Sequence, residues 1–302
     1  MVRNSKVIDR TGKVRQPLLQ EMLDKAMTTF TGHNSLSDAW RQFVSEEDIT
    51  GLKLNTNGLM TITGTEFIDH FTAVTSAVIT GMKKAGISDK NVVIWDRSDE
   101  EMDTAGYTVQ KETGAMRVLG TFEKRRGQTG IGFGPEAFKI GDTTSHVSRI
   151  ITDICTALIN IPVLKNHSSL GVSCSLKNHF GSIDNPGYYH SIMATKPVIA
   201  EINSIPVIRN KQKLVIGDAL LGLYEGGPRW GRDKIIPCGS IVVGTDPVAV
   251  DTVMLDIIEA KRAALDKLPI GLRAQQHMKL AENLGLGTAN RDNIDLLNID
   301  MS

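Results

Sequence analysis

Val163–His190, VLKNHSSLGVSCSLKNHFGSIDNPGYYH, holds three of the chain's seven histidines together with two lysines, a cysteine and an acid. Polar chemistry at that density does not suit a core segment. Just before and into it, Ala157, Leu158, Ile159, Ile161, Val163 and Leu164 form a nearly unbroken apolar run, the pattern of a strand covered by helices on both faces. Pro162 is the one residue that argues against a central strand, because it cannot donate to a ladder. Lys165 and His167 then stand at the strand's carboxyl end, where open α/β sheets bind ligands. Reading Val172–Phe180 as one helix puts Cys174, Lys177 and Asn178 within a turn of each other.

The flanking sequence supplies the rest of such a sheet. Ile49–Asn55 reads as a strand, and the period of two puts Lys53 and Asn55 on one face. Thr63 and Glu66 have capping-box spacing, and Phe67, Phe71, Val74, Val78 and Met82 make the apolar stripe of a long helix ending near Gly86. The next strand, Val92–Trp95, runs into Asp96. Strand, helix, strand in this order marks a parallel α/β unit. Upstream, Leu18, Leu19, Met22, Leu23, Ala26, Met27 and Phe30 recur at helical spacing up to Gly32, and a short helix carries Trp40 and Phe43.

Downstream, Lys213–Ala219 and Ser240–Gly244 read as strands, and Asp246 with Pro247 starts a helix through Lys261. A helix around Arg273–Leu284 and a strand at Ile294–Leu297 complete the chain. Residues 109–145, with Lys124, Arg125, Arg126 and a glycine-rich run, read as a surface excursion that includes a strand at Met116–Leu119. No repeat or low-complexity linker divides the 302 residues. The expectation is one α/β domain with insertions, its sheet largely parallel or mixed, with helices on both faces.

Composition narrows the function. Lys plus Arg equals Asp plus Glu, 34 each, so the large basic surface of a nucleic-acid binder is not expected. Cys155, Cys174 and Cys238 are too scattered for a disulfide framework or a CxxC site, and no iron–sulfur cluster is expected in this chain. No apolar run reaches membrane-span length, and the first twenty residues lack the apolar core of a signal peptide. A soluble chain without a membrane partner is expected, cytoplasmic unless a signal has been removed.

The chemistry-bearing residues suggest a pocket for a small anion. Lys53, Asn55, Lys165, Asn178, Asp218 and Arg229 are the candidate substrate-binding residues; His167, Lys177 and His179 are the candidate catalytic ones. A lone lysine is more often a solvated surface residue, and it is the joint placement after an apolar strand that favours a pocket. In GDALLGLYEGGPRWGR the glycines would let backbone N–H groups approach an oxyanion, and Arg229 could clamp it. His167, His179 and His190 with Asp184 offer a donor set for zinc, nickel or iron, although their spacing matches no compact metal motif. Cys174 reads as a small buried residue.

KLN at Lys53–Asn55, KNH at Lys165–His167, SLKNHFG at Ser175–Gly181, GDALLGLYEGGPRWG at Gly217–Gly231 and GTDPVAVD at Gly244–Asp251 together resemble the family described as domain of unknown function 362. Many of its members look like iron–sulfur proteins through an added ferredoxin-type module, whose cysteines this chain lacks. More loosely, His167, Lys177 and His190 are similar in order to the histidine, lysine and histidine of the lactate racemase family, where a lysine-tethered nickel pincer nucleotide performs hydride transfer. The glycine pair before that lysine is replaced here by Cys174, Ser175 and Leu176. The expectation is an enzyme acting on a small carboxylate or phosphate metabolite. Its rivals are a nickel- or other metal-dependent racemase or redox enzyme and a non-catalytic ligand-binding or redox-partner protein.

Overall fold

In chain order the strands are Val2–Arg3 (β1), Thr50–Lys53 (β2), Val92–Ser98 (β3), Arg117–Lys124 (β4), Gln128–Thr129 (β5), Phe133–Ile140 (β6), Thr143–Ser148 (β7), Ala157–Asn160 (β8), Val163–His167 (β9), Gly171–Ser173 (β10), Gln212–Leu223 (β11), Ile235–Gly244 (β12) and Ile299–Asp300 (β13). The α-helices are Gln16–Thr31 (α1), Leu36–Arg41 (α2), Thr65–Lys84 (α3), Asp99–Thr104 (α4), Ser175–Asn178 (α5), Pro186–Ile192 (α6), Val198–Ser204 (α7), Pro206–Lys211 (α8), Pro247–Ala263 (α9) and Leu272–Asn283 (α10). This is a computed structural model that describes the chain apart from residues 58–64, 125–127, 228 and 271. Thr63, Arg125 and Arg126 therefore lie outside the described residues, as do the side chains of Glu66, Phe67, Phe71 and Arg273.

The main sheet runs β13-β1-β12-β11-β8-β2-β3-β4-β5, with β9 added to β11 and β10 added to β9. Its centre, from β11 through β8, β2 and β3 to β4, is parallel. Antiparallel pairs join β12 to both β11 and β1, and β5 to β4. The α/β class with a largely parallel, mixed-edged sheet is thus the one the sequence predicts.

Strand alternation sorts the core into two layers. Leu52, Val92, Ile94, Ile159, Leu214 and Ile216 pack on one face against Leu19, Met22, Leu23 and Met27 of α1 and Val74, Val78 and Met82 of α3. Val93, Trp95, Leu158, Val215 and Val242 pack on the other with α7, α9 and α10. α1 stops at Gly32, which adopts the left-handed φ of 73° that a side chain would resist. α9 starts as expected: the Asp246 carboxylate accepts from the N–H groups of Val248 and Ala249, both at 2.8 Å.

The apolar run is two strands, and Pro162 is the reason. Ile161 still donates to the Lys53 carbonyl of β2 at 2.8 Å, but Pro162 has no N–H, and its carbonyl accepts from Asp218 of β11 instead. β8 lies between β2 and β11, whereas β9 pairs with β11 and β10 and has left β2. Strands that were neighbours separate here, and a crevice opens at the carboxyl ends of β2 and β3.

Three other expectations change. Val172–Phe180 is not one helix: Gly171, at φ +83°, turns the chain so that 171–173 pair back on β9, and α5 has only four residues before a 3-10 turn at His179–Ser182. The expected strand at Ile294–Leu297 is absent; β13 lies beyond it and pairs with β1. Of residues 109–145, read as a surface excursion, Arg117–Lys124 is β4 of the main sheet, and the β6–β7 hairpin carries Ile140 and Val147 into the core. No helix among the described residues is long and apolar enough to cross a membrane.

Candidate functional site

A cleft of about 390 Å³ occupies the crevice and is lined by Lys53, Asn55, Asp96, Arg97, His167, Lys177, Phe180, Gly181, His190 and Arg229, among others. β2 and β3 supply its floor, the end of β9 one wall, and the α5–α6 segment its roof.

Lys53 is only 1% exposed. Its ammonium donates to Asp96 Oδ1 at 2.5 Å, to the Leu54 carbonyl at 2.7 Å and to Asn178 Oδ1 at 3.2 Å. The second Asp96 oxygen accepts from the N–H and hydroxyl of Thr56 at 2.7 and 2.6 Å. Burial alone would push the Asp96 carboxyl up, but Lys53 and Thr56 outweigh it and hold Asp96 below its usual range. A Cβ at Gly181 would lie 2.8 Å from Asp96 Oδ1 and 3.0 Å from Lys53 Nζ. Gly181→Ala is therefore expected to push this ion pair apart and to cost about 1–3 kcal/mol, read as a lower urea midpoint. An unchanged midpoint would mean that the pair tolerates displacement.

The α5 segment is held over the sheet by side-chain amides. Asn178 Nδ2 donates to Asn160 Oδ1 at 2.8 Å, and Asn160 Nδ2 donates to the Ser175 carbonyl at 3.0 Å and to Gln212 Oε1 at 2.9 Å. Gln212 Oε1 also accepts from His179 Nε2 at 2.9 Å, and His179 Nδ1 meets the Ser182 hydroxyl. Beneath α5, Asp251 accepts from the N–H and hydroxyl of Ser175 at 2.6 and 2.5 Å and from the Leu176 N–H at 3.2 Å. Burial nevertheless pushes the Asp251 carboxyl up to about 7. Asn160, Gln212 and Asp251 were not among the predicted site residues: Asn160 closes β8, Gln212 opens β11 and Asp251 lies in the first turns of α9, and only the polar end of the apolar run at Asn160 was a local hint.

The three lysines have different fates. The Lys165 ammonium donates to Asn55 Oδ1 at 2.5 Å and to the Asn57 carbonyl at 2.9 Å, and burial brings its pKa down to about 8. Lys53 is paired with Asp96. Lys177 is half-buried, and its ammonium has no hydrogen bond or ion pair to any described residue; its Nζ lies 3.3 Å from the centroid of the Phe180 ring. Burial, then the charges of Lys165 and Arg97, hold Lys177 well below the ordinary lysine pKa. Arg97 is itself paired with Glu101, whereas Arg229 is exposed at the rim and also has no hydrogen bond or ion pair to a described residue.

His167 and His190 meet across the cleft with their Nε2 atoms 3.3 Å apart. The Ser169 N–H donates to His167 Nδ1 at 3.2 Å, so neutral His167 carries its proton on Nε2 and directs it at His190. Burial first, then Lys177, His190 and Lys165, bring His167 down to about 3. His190, lowered by burial and Lys177, is exposed on its outer side.

Several predicted site residues sit elsewhere. His179 is fully buried under α5, neutral, its pKa brought down to about 4 by burial, and does not line the cleft. Asp184 accepts from the Ser145 hydroxyl and the His146 N–H on the β6–β7 side. Only two of the four candidate metal donors therefore meet, and among the described residues no group of three or more His, Cys, Asp or Glu side chains could hold a metal ion. Asp218 lies on the opposite sheet face, beside Thr75 and Tyr107, with a carboxyl that burial pushes up to about 7. β11 alternates, and Asp218 shares the face of Leu214 and Ile216 rather than that of Val215. The Gly227 N–H is engaged by Asn166 Oδ1 at 2.8 Å instead of facing an oxyanion, and a Cβ there would lie 1.9 Å from the Asn166 carbonyl oxygen. That glycine clips the loop to β9, two residues before Arg229.

No curated protein matches the chain significantly. A crystal structure of a Thermotoga maritima protein aligns with 90% of the chain at 13% identity and a TM-score of 0.38, and the chain covers 60% of that protein's length. The family model for a domain of unknown function, DUF362, matches residues 52–256, from β2 into α9, and so spans every cleft residue named above. The chain belongs to the DUF362 family.

Proposed function

We propose that the protein is an enzyme acting on a small anionic metabolite, a carboxylate or a phosphate, bound in the lysine- and histidine-lined cleft. One observation carries the reading: the Lys177 ammonium faces the cleft with no carboxylate or other acceptor among the described residues bonded to it, while Lys165 and Arg97 stand close enough to depress it. A half-buried cation without a partner is costly, and an incoming anion supplies the partner. Arg229 at the rim offers a second cation without an acceptor among the described residues, and the neutral His167–His190 pair can move a proton between the cleft and solvent.

The reading is tested by calorimetric titration with inorganic phosphate and with pyruvate. Because Lys177 titrates below the ordinary lysine value, part of its population gives up the proton earlier than in a free lysine, and an anion that stabilises the ammonium pulls a proton back. Binding is expected to take up protons, seen as an enthalpy that changes with the buffer's ionisation enthalpy, and affinity is expected to fall as pH rises through the Lys177 pKa. Binding without turnover of any small acid would favour the non-catalytic reading, and stoichiometric metal in the purified protein would favour the metal-dependent one. Failure of both anions to bind would remove the anion-cleft reading.

A further inference from the structure

We propose that Lys177 is a nucleophile that forms an imine with a small keto acid, whose carboxylate is held by the Arg229 guanidinium at the rim of the same cleft. The proposal rests on the anion-cleft reading and names its substrate class. A clamp for a passive anion needs only charge, yet Lys177 is built differently from the other two lysines: no described acceptor holds its nitrogen, one side is closed by the Phe180 ring at 3.3 Å, and two cations stand behind it. The burial, the missing acceptor and the two neighbouring cations disfavour the ammonium and outweigh the attraction of the ring face for it, favouring the free amine, the form that attacks a carbonyl. An ordinary lysine with a pKa near 10.4 is about 99.9% protonated at pH 7.4 and a poor nucleophile.

The rest of the cleft fits the reaction. Attack by the Lys177 lone pair on the keto carbon forms a C–N bond and sends the carbonyl π pair to oxygen, which takes a proton while nitrogen loses one. The resulting carbinolamine expels its hydroxyl, protonated, as water, and the nitrogen lone pair closes the C=N bond. Amine plus ketone gives imine plus water, with no oxidant or reductant. Both stages move protons between nitrogen, oxygen and solvent, and the His167–His190 contact runs from the cleft interior to an exposed imidazole. Arg229 has no acidic partner among the described residues, so it can take a carboxylate without breaking an ion pair.

The experiment treats the purified full chain at neutral pH with pyruvate, 2-oxoglutarate or acetoacetate in the presence of sodium cyanoborohydride, followed by intact-mass analysis and peptide mapping. At least one acid is expected to give a single adduct on Lys177. Its mass gain is that of the keto acid less one oxygen, since water leaves and two hydrogens are added. Lys177→Arg should carry no adduct, and Arg229→Met should require about tenfold more acid for half-labelling. Mapping the wild-type protein locates the adduct even if a variant misfolds. No adduct from any of the three acids, or label spread over surface lysines and unchanged in Lys177→Arg, overturns the imine. Calorimetry on the same preparation separates the two readings: phosphate or pyruvate binding without an adduct refutes the imine alone, and no binding refutes the cleft as well.

Discussion

Lys177→Ala is expected to weaken phosphate or carboxylate binding by roughly 30-fold to several thousand-fold, because removing one partner of a desolvated charge pair costs about 2–5 kcal/mol. Folding should be almost unaffected. The Lys177 ammonium has no hydrogen bond or ion pair to a described residue, so the native state loses its packing on Phe180 and is relieved of a charge in a poorly solvated place. The thermal midpoint should stay level or rise. Lys177→Arg should keep part of the affinity for phosphate, since a guanidinium supplies charge and donors in a different geometry. Calorimetry and a melting curve read both quantities on one sample. Wild-type affinity in the alanine variant would move the binding site away from the central segment and remove the basis of the proposed function.

Asp96→Ala is expected to be the most destabilising single change in the cleft, by about 3–5 kcal/mol, because it leaves the buried Lys53 charge uncompensated. It also strips the N–H and hydroxyl of Thr56 of the one carboxylate oxygen they share. Asp96→Ala combined with Lys53→Met should recover much of the loss, since replacing both members of a buried pair with apolar groups is often neutral whereas removing one is not. Urea unfolding of the two single variants and the double gives the coupling energy directly. The pH dependence has a definite sign. Asp96 has a folded pKa below its ordinary value, so its stabilisation is present above about pH 4 and is lost as pH falls through that depressed value. The Asp96→Ala variant should lose this acid-sensitive component. A single variant as stable as the wild type would mean that Lys53 finds another acceptor or sheds its proton.

What the amino-acid sequence determined by itself is local and periodic. The helical stripe from Leu18 to Met27, the stop at Gly32, the Asp246–Pro247 start and the face shared by Lys53 and Asn55 all follow from spacings within a few residues, and backbone geometry turns such spacings into faces and ends. Lys165 and His167 were placed at a strand end for the same reason. Pro162 was visible as an anomaly, but that it would split one apolar run into β8 and β9, and so open the cleft, depended on Asp218 of β11 taking its carbonyl. Partner choice was beyond local reading altogether. Asp96 reaches Lys53 across 43 residues, Asp251 reaches Ser175 across 76 and Lys53 reaches Asn178 across 125. The same absence of long-range information left His179, Asp184 and Asp218 in the predicted site, although Gln212, Ser145 and the alternation of β11 place them elsewhere. Three lysines become one ion-paired, one bonded to neutral amide oxygens and one with no acceptor among the described residues, because burial and the nearest acceptor decide a lysine's chemistry, and both arise only when strands distant in the chain are brought side by side.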